Sequence, residues 1–209
     1  VRSDDLAAQV IQGLMQRNEN IPVETVEEVV VGCAFPEGPQ GMLMARSISV
    51  LADLPIESGA KVVNRFCGSS MDSVHQLSQA ILAGDIDAGI AAGVEDMFSV
   101  PMGGFNPSLN PELYEKEFYM GMGETAEILA AELNISREDQ EAFAVKSHEK
   151  ALAAIAEGRY DNEMIPAQIN GTTVSRDEGP REPNLEKIKS LDPAFDKDGS
   201  ITAATSSPI

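Results

Sequence analysis

Apolar positions along the first hundred residues switch between two periods. Leu6, Val10, Ile11, Leu14 and Met15 recur at helical spacing behind Ser3, a residue able to cap such a helix, and residues 18–22 end it. The β-branched run 26–31, closed by Gly32, is too short for a helix and apolar enough for a strand buried on both faces. The pattern then predicts a helix over 42–54, a strand over 60–64 and a helix over 69–83. Met71, Val74, Leu77 and Ile81 form the apolar side of that last helix, Gly84 stops it, and a third short strand is expected over 88–92. Strand and helix alternate, which predicts an α/β fold with a parallel sheet and right-handed crossovers.

The texture changes near Pro101. Residues 101–119 hold Gly103-Gly104, three prolines and several aromatics without a period, and read as a loop-like insertion. Helices are expected over 123–133 and 136–157, divided by Asn134, the second opened by a capping box in which Ser136 and Asp139 satisfy each other's backbone donors. From Gly158 onward the chain is polar and turn-rich, with a strand predicted over 164–169 and a short helix over 185–191. The expected plan is a βαβ core to about residue 100 followed by a helical, loop-rich region.

Composition narrows the function classes. Hydrophobic residues at 43% and charged residues at 23% of 209 allow a real core. Fifteen basic against 34 acidic residues give a net charge of −19, which opposes general binding to nucleic acid or anionic membranes. No stretch reaches the ~20 apolar residues of a membrane-spanning helix, and the opening Val1-Arg2-Ser3-Asp4-Asp5 is no apolar signal, so a cytoplasmic protein is expected. The start at Val and the stop at 206–209 without a closing element read as a piece of something larger.

Cys33 and Cys67 form neither a disulfide framework nor a C-x-x-C pair, and no metal site is expected. Cys67 sits where a predicted strand hands over to a predicted helix, followed by Gly68, Ser69 and Ser70. Free N–H groups and the positive end of the helix dipole there can stabilise a thiolate, and small neighbours leave room for a carbonyl. Position alone leaves a nucleophile and an inert buried thiol both open. Cys33 precedes Ala34-Phe35-Pro36, which cannot start a helix, and reads as an inert thiol. Of the two histidines, His75 lies eight residues past Cys67 on the same helix, ~12 Å along its axis. His148 reads as part of a solvated helix face. The glycines do not have phosphate-loop spacing, and the pairs Asp85/Asp87 and Glu95/Asp96 flank a strand rather than bind metal. Met97, Met102, Met120 and Met122 cluster at the change of texture and suit gap filling or a flexible thioether channel. Arg176, Arg181, Lys187 and Lys189 make a local basic patch able to meet an anionic ligand.

Asn64-Arg65-Phe66-Cys67-Gly68-Ser69-Ser70-Met71 resembles the nucleophile segment of the thiolase family. In order along the chain, similar matches follow at 93–101, at Met122-Gly123-Glu124-Thr125-Ala126-Glu127, at 136–144, at Asp177-Glu178-Gly179-Pro180-Arg181, at Pro193-Ala194-Phe195 and at 202–208. The resemblance implies a thiolase-like α/β fold: one βαβ half of a layered α/β/α/β/α architecture, plus a mainly helical, loop-rich cap. The implied domains are a core over 1–100 without the family's first strand, a cap over 101–203, and a return to the core beginning at 204–209. It implies an acyl-CoA C-acyltransferase of fatty acid metabolism in which Cys67 is acylated. That enzyme cleaves 3-ketoacyl-CoA with CoA or condenses two acetyl-CoA. Coenzyme A is then a substrate, with no permanently bound cofactor. CoA contacts carry over to Met122, Arg181, Phe195, Ala203 and Ser207, and a homo-oligomer, dimer or tetramer, is expected.

There are departures. Gly121 stands where some members carry His. The family's second half, with its Gly-His-Pro histidine and Cys-x-Gly cysteine, has no counterpart here, so the chain alone is expected to be inactive or nearly so. Two other readings are a ketosynthase-type condensing enzyme, against which 125–127 and 177–181 speak, and a non-catalytic fragment that binds CoA or a partner subunit.

Overall fold

Val29, Val30 and Val31 are fully buried at the centre of a three-stranded parallel sheet. A computed structural model describes residues 1–207; Pro208, which closes the last resembling motif, and Ile209 lie outside the described residues. Strands β1 (Glu28–Gly32), β2 (Gly59–Val63) and β3 (Gly89–Gly93) align in the order β2-β1-β3, with Val30 opposite Lys61 on one side and Ala91 on the other. The chain steps from β1 outward to β2 through α2 (Met44–Leu51), then back across β1 to β3 through α3 (Ser69–Ala83). Because parallel crossovers are right-handed, steps in opposite directions put α2 and α3 on opposite faces. The burial agrees. Val29 and Val31 pack with Ala7, Ala8 and Ile11 of α1 (Ser3–Arg17) and with Met44, Ala45 and Ile48 of α2. Val30, pointing the other way, serves the face on which α3 rests.

Two contact features differ from the sequence expectation. Ser3 lies inside α1 with its hydroxyl buried and unpartnered, and Arg2 is the cap residue. Arg2 instead grips Asp4 through two hydrogen bonds of 2.9 and 2.8 Å, which holds the Asp4 carboxyl below its usual range. On α3 only Leu77 of the predicted apolar stripe is buried. Met71 and Val74 are exposed and Ile81 is half-exposed, while Ser69, Ser73 and Leu77 are buried. The reason is proximity: a Cβ on Gly32 would overlap the Ser70 nitrogen and the Ser69 carbonyl, and one on Gly93 would overlap Ser70. Only serine-sized side chains fit so close an approach, and Ser73 donates to the Ala92 carbonyl at 3.1 Å as it lands.

Past β3 the chain forms two compact units. The first is Val1–Pro107 together with Ile165–Ser175; the second is Ser108–Met164 with the described residues from Arg176. Residues 165–175 carry a hairpin of β4 (Ala167–Ile169) and β5 (Thr172–Val174), the second strand of which the sequence pattern does not predict. Asn170 and Gly171 make its turn with φ of +50° and +80°, the signature of a tight hairpin. Gln9 fastens it to α1, donating to the Gln168 carbonyl at 3.3 Å and accepting from the Gln168 N–H at 2.7 Å.

The second unit contains α4 (Pro111–Glu115), α5 (Met122–Glu132), α6 (Arg137–Ala156) and α7 (Leu185–Lys189). Helix α4 breaks the expected loop over 101–119; Asn110 caps it and Pro111 opens it. At α6 Ser136 accepts from the Asp139 N–H at 3.1 Å, but Asp139 takes the Ser136 hydroxyl rather than its N–H. An aspartate is one methylene shorter than the glutamate that usually closes such a box. Glu124 makes that reach at α5, accepting from the Gly121 N–H at 2.9 Å.

The seat of α3 generates one prediction. Gly32→Ala should cost about 1–3 kcal/mol, the usual penalty of overpacking against backbone that cannot yield. A denaturant midpoint unchanged in the variant would contradict this.

Candidate functional site

Parallel sheets place their loops, and commonly their ligands, beyond the carboxyl ends of the strands. Three loops meet there in the first unit. After β1 comes Cys33-Ala34-Phe35, after β2 Asn64-Arg65-Phe66-Cys67, and after β3 Glu95-Asp96. Cys67 is exposed and Cys33 buried.

Cys67 occupies the last turn before α3, whose N-terminal cap is Gly68. The turn is tied internally by Gly68 N–H to Arg65 carbonyl at 3.0 Å and Ser69 N–H to Phe66 carbonyl at 3.0 Å. Asn64 links it to the neighbouring loop by donating to the Ala34 carbonyl at 2.8 Å, and the Phe66 ring stands 6.1 Å from that of Phe35. His75 is exposed further along α3. The arrangement offers an accessible thiol beside the N-terminus of a fifteen-residue helix, which suits attack on an electrophilic carbonyl.

Cys33 has opposite surroundings. Burial, with the Glu95 carboxylate beside it, pushes its thiol up from the ordinary 9.0 to about 12. Its Sγ donates to Glu95 Oε1 at 3.6 Å, and Glu95 also accepts from the Ala34 N–H and Gln40 Nε2, each at 2.6 Å. Buried Gln40 completes the brace by donating to the Phe35 carbonyl at 2.9 Å and accepting from the Asp96 N–H. Asp96 itself caps the next turn through the Ser99 hydroxyl (2.6 Å) and N–H (3.0 Å), which lower its carboxyl below the usual range. Both acids are thus occupied in fixing loops.

The other candidate residues lie in the second unit. Met122 is exposed at the start of α5, and Phe195 packs its ring against the adjacent Gly123, so these two share one place. Arg181 is exposed and its N–H donates to His148 Nδ1 at 3.3 Å. His148 is therefore half-buried and holds the 181 loop, where a solvated face was expected. Of the basic patch, Lys187 and Lys189 stand on α7, and Lys189 shares a groove with Lys146 and Glu149 of α6. Ala203 and Ser207 are exposed on the segment after the Pro193–Thr202 bridge.

A residue not singled out from sequence organises that segment. The Glu127 carboxylate on α5 accepts from the Ser200 N–H (2.9 Å), the Ile201 N–H (2.8 Å) and the Ser200 hydroxyl (3.2 Å). It closes the Met122–Glu127 motif, and a lone acid in an otherwise small and apolar helical stretch, Thr125-Ala126-Glu127-Ile128-Leu129, was the available signal.

Comparison with known proteins bears on this geometry. A sequence model described as the thiolase N-terminal domain matches residues 1–209. The 3-ketoacyl-CoA thiolase of Bacillus subtilis (strain 168) is 39% identical over 223 residues, covering 99% of this chain and 57% of that protein. Those of Alcanivorax borkumensis and Vibrio vulnificus (strain YJ016) are 43% and 39% identical, covering 100% of this chain and 56% of each relative. The chain thus spans somewhat more than half the length of the curated relatives it matches.

Two outcomes follow from these contacts. The folded Cys33 thiol resists ionisation, so between pH 9.0 and about 12 the unfolded chain binds fewer protons than the folded one. Stability should fall as pH rises through that window, by up to about 1.4 kcal/mol per unit, and be untouched by this group below it. Cys33→Ala should remove that component in paired denaturation curves. Separately, Glu127→Ala should speed hydrogen exchange of the Ser200 and Ile201 amides about tenfold or more, since bonds to a charged acceptor contribute ~1.5–3 kcal/mol. Glu127→Gln should give a smaller acceleration.

Proposed function

The chain belongs to the thiolase family, matched along residues 1–209, and from that premise we propose that it carries the acyl-accepting cysteine of an acyl-CoA C-acyltransferase. The observation that carries this reading is the position of Cys67: an exposed thiol on the β2–α3 turn, at the carboxyl edge of a parallel sheet, within the segment resembling the family's nucleophile.

In the proposed reaction the Cys67 sulfur attacks the C3 carbonyl of a 3-ketoacyl-CoA. The C2–C3 bond breaks, its electron pair stays on C2 and is protonated, and acetyl-CoA leaves. The acyl group remains as a thioester on Cys67. The thiol of a second CoA then attacks that thioester, forms the shortened acyl-CoA and returns the cysteine. Run in reverse, the same thioester joins two acetyl-CoA. We assign the nucleophile to this chain and assign neither the base that takes the thiol proton nor the acid that protonates C2 to any residue of it; His75, eight residues along α3, is too far. We therefore expect sustained turnover by the 209 residues alone to be slow or absent, since losing partners that act as a unit costs orders of magnitude. The step open to test in this chain is a single acylation of Cys67 followed over hours.

The substrate-side roles divide along the chain. We assign the nucleophile to a core over 1–100, CoA contacts to a cap over 101–203, and a return towards core structure to 204–209. Within the cap, Met122 and Phe195, at one end of α5, suit the pantetheine arm, with Ala203 at the end of the cap and Ser207 of the return segment alongside it. Arg181 suits the phosphate-bearing end, where a guanidinium binds oxygens bidentately. Coenzyme A enters and leaves as substrate. We place the activity in fatty acid metabolism in the cytoplasm, in a dimer or tetramer. No helix among the described residues is long and apolar enough to cross a membrane.

Incubation with acetoacetyl-CoA, acid quenching and peptide mapping by mass spectrometry tests the reading. An acyl thioester is expected on Cys67, none on Cys33, and none in Cys67→Ser. Absence of the Cys67 adduct, or its appearance on Cys33, would overturn it.

A further inference from the structure

The residue just before Cys67 has a backbone that bulky side chains avoid. Phe66 sits at φ +46°, in the left-handed region, where a Cβ crowds its own carbonyl. Its ring gives little compensation: it is 66% exposed and meets Phe35 in one tilted contact. What holds it is a clamp on both of its peptide groups. The Phe66 N–H donates to Asn64 Oδ1 at 2.9 Å, and the Phe66 carbonyl accepts from the Ser69 hydroxyl at 2.5 Å as well as from the Ser69 N–H. Ser69 Oγ also accepts from the Arg65 N–H at 2.9 Å, so one hydroxyl bridges the residues on either side of the Arg65–Phe66 peptide.

Each jaw is anchored elsewhere. The Asn64 amide donates to the Ala34 carbonyl of the loop after β1. Ser69 is buried in the first turn of α3, which is pressed onto Gly32 and Gly93. The φ of Phe66 sets the direction in which the chain enters residue 67, so releasing either jaw lets the strain relax by swinging Cys67.

We propose that Asn64 and Ser69 are positioning residues that hold Phe66 left-handed and thereby aim the Cys67 thiol at its acyl donor. This rests on the reading of Cys67 as the acyl acceptor. A side chain that merely stabilised the fold would be indifferent to the identity of residue 66. A positioning clamp is not, because glycine adopts positive φ without help and alanine does not.

The experiment measures the rate of thioester formation on Cys67 with acetoacetyl-CoA, and in parallel the rate of Cys67 alkylation by iodoacetamide, in the 209-residue chain and its variants. Asn64→Ala and Ser69→Ala should each slow acylation about tenfold, the size expected when a strained geometry is released. Adding Phe66→Gly to Asn64→Ala should restore the rate to within about twofold, and adding Phe66→Ala should not. If Asn64→Ala does not fold, Phe66→Gly should make acylation insensitive to Ser69→Ala. Unchanged acylation in both single variants, rescue by alanine equal to that by glycine, or no rescue by glycine would overturn the proposal. Should the unaltered chain form no thioester at all, the nucleophile reading fails. The clamp is then judged on alkylation alone, where the Asn64→Ala rate must differ from the unaltered chain and Phe66→Gly, not Phe66→Ala, must bring it back.

Discussion

The first unit depends on how closely one helix can approach one sheet. At its N-terminal end helix α3 does not rest on a cushion of large side chains. Its first turn lies directly on the ends of β1 and β3, at Gly32 and Gly93, with Ser69 and Ser73 buried beneath it and Ser70 against Gly93 at the exposed edge. Dense packing transmits position, since contacts at this range have no slack to absorb a shift. The turn that precedes the helix is therefore fixed relative to the strand ends, and Cys67 is exposed on that turn. The two cysteines show what a few residues of backbone can do: one thiol is delivered to solvent, while the other is sealed beside Glu95 and held protonated.

The loops at the sheet edge are braced by side chains. Asn64 joins the β2 loop to the β1 loop, and Glu95 and Gln40 join the β1 loop to the β3 loop. Each brace satisfies backbone groups that strand pairing has left unpaired, which is the condition for burying irregular chain. The second unit repeats the device with Glu127 on residues 200 and 201, and with Arg137, which donates to the Leu191 carbonyl at 2.7 Å just past α7. In both units regular elements supply the frame and single polar side chains set the loops.

Much of this was legible in the sequence because it obeys period. The parallel sheet and the bounds of α3 follow from apolar spacing and from Gly84, and the position of Cys67 at a strand-to-helix turn follows from them. What the pattern missed has local causes. It put Met71 and Val74 on the packing face of α3 because it weighs hydrophobicity and not distance; serines win where the backbone comes close. It lost α4 and β5 although both announce themselves, by Asn110-Pro111 and by Asn170-Gly171, because short elements carry little periodic signal. The Glu127 and Asn64 braces are long-range or backbone-directed hydrogen bonds, which composition and spacing do not encode. The family motifs named Phe195, Ala203 and Ser207, which physical reading alone did not single out, whereas Met122 and Arg181 also stood out by the methionines and the basic residues around them.

The hairpin at 165–175 has a consequence for how the chain can be divided. It belongs with the first unit, yet follows α6 and precedes α7, so the polypeptide passes from one unit to the other three times. Neither unit is a continuous stretch of gene. A truncation after residue 107 would strip the first unit of the hairpin that Gln9 grips, and a fragment starting at 108 would carry that hairpin as an orphan. No single cut in the chain separates the two, which ties the cysteine-bearing layer to the helical region by connectivity alone.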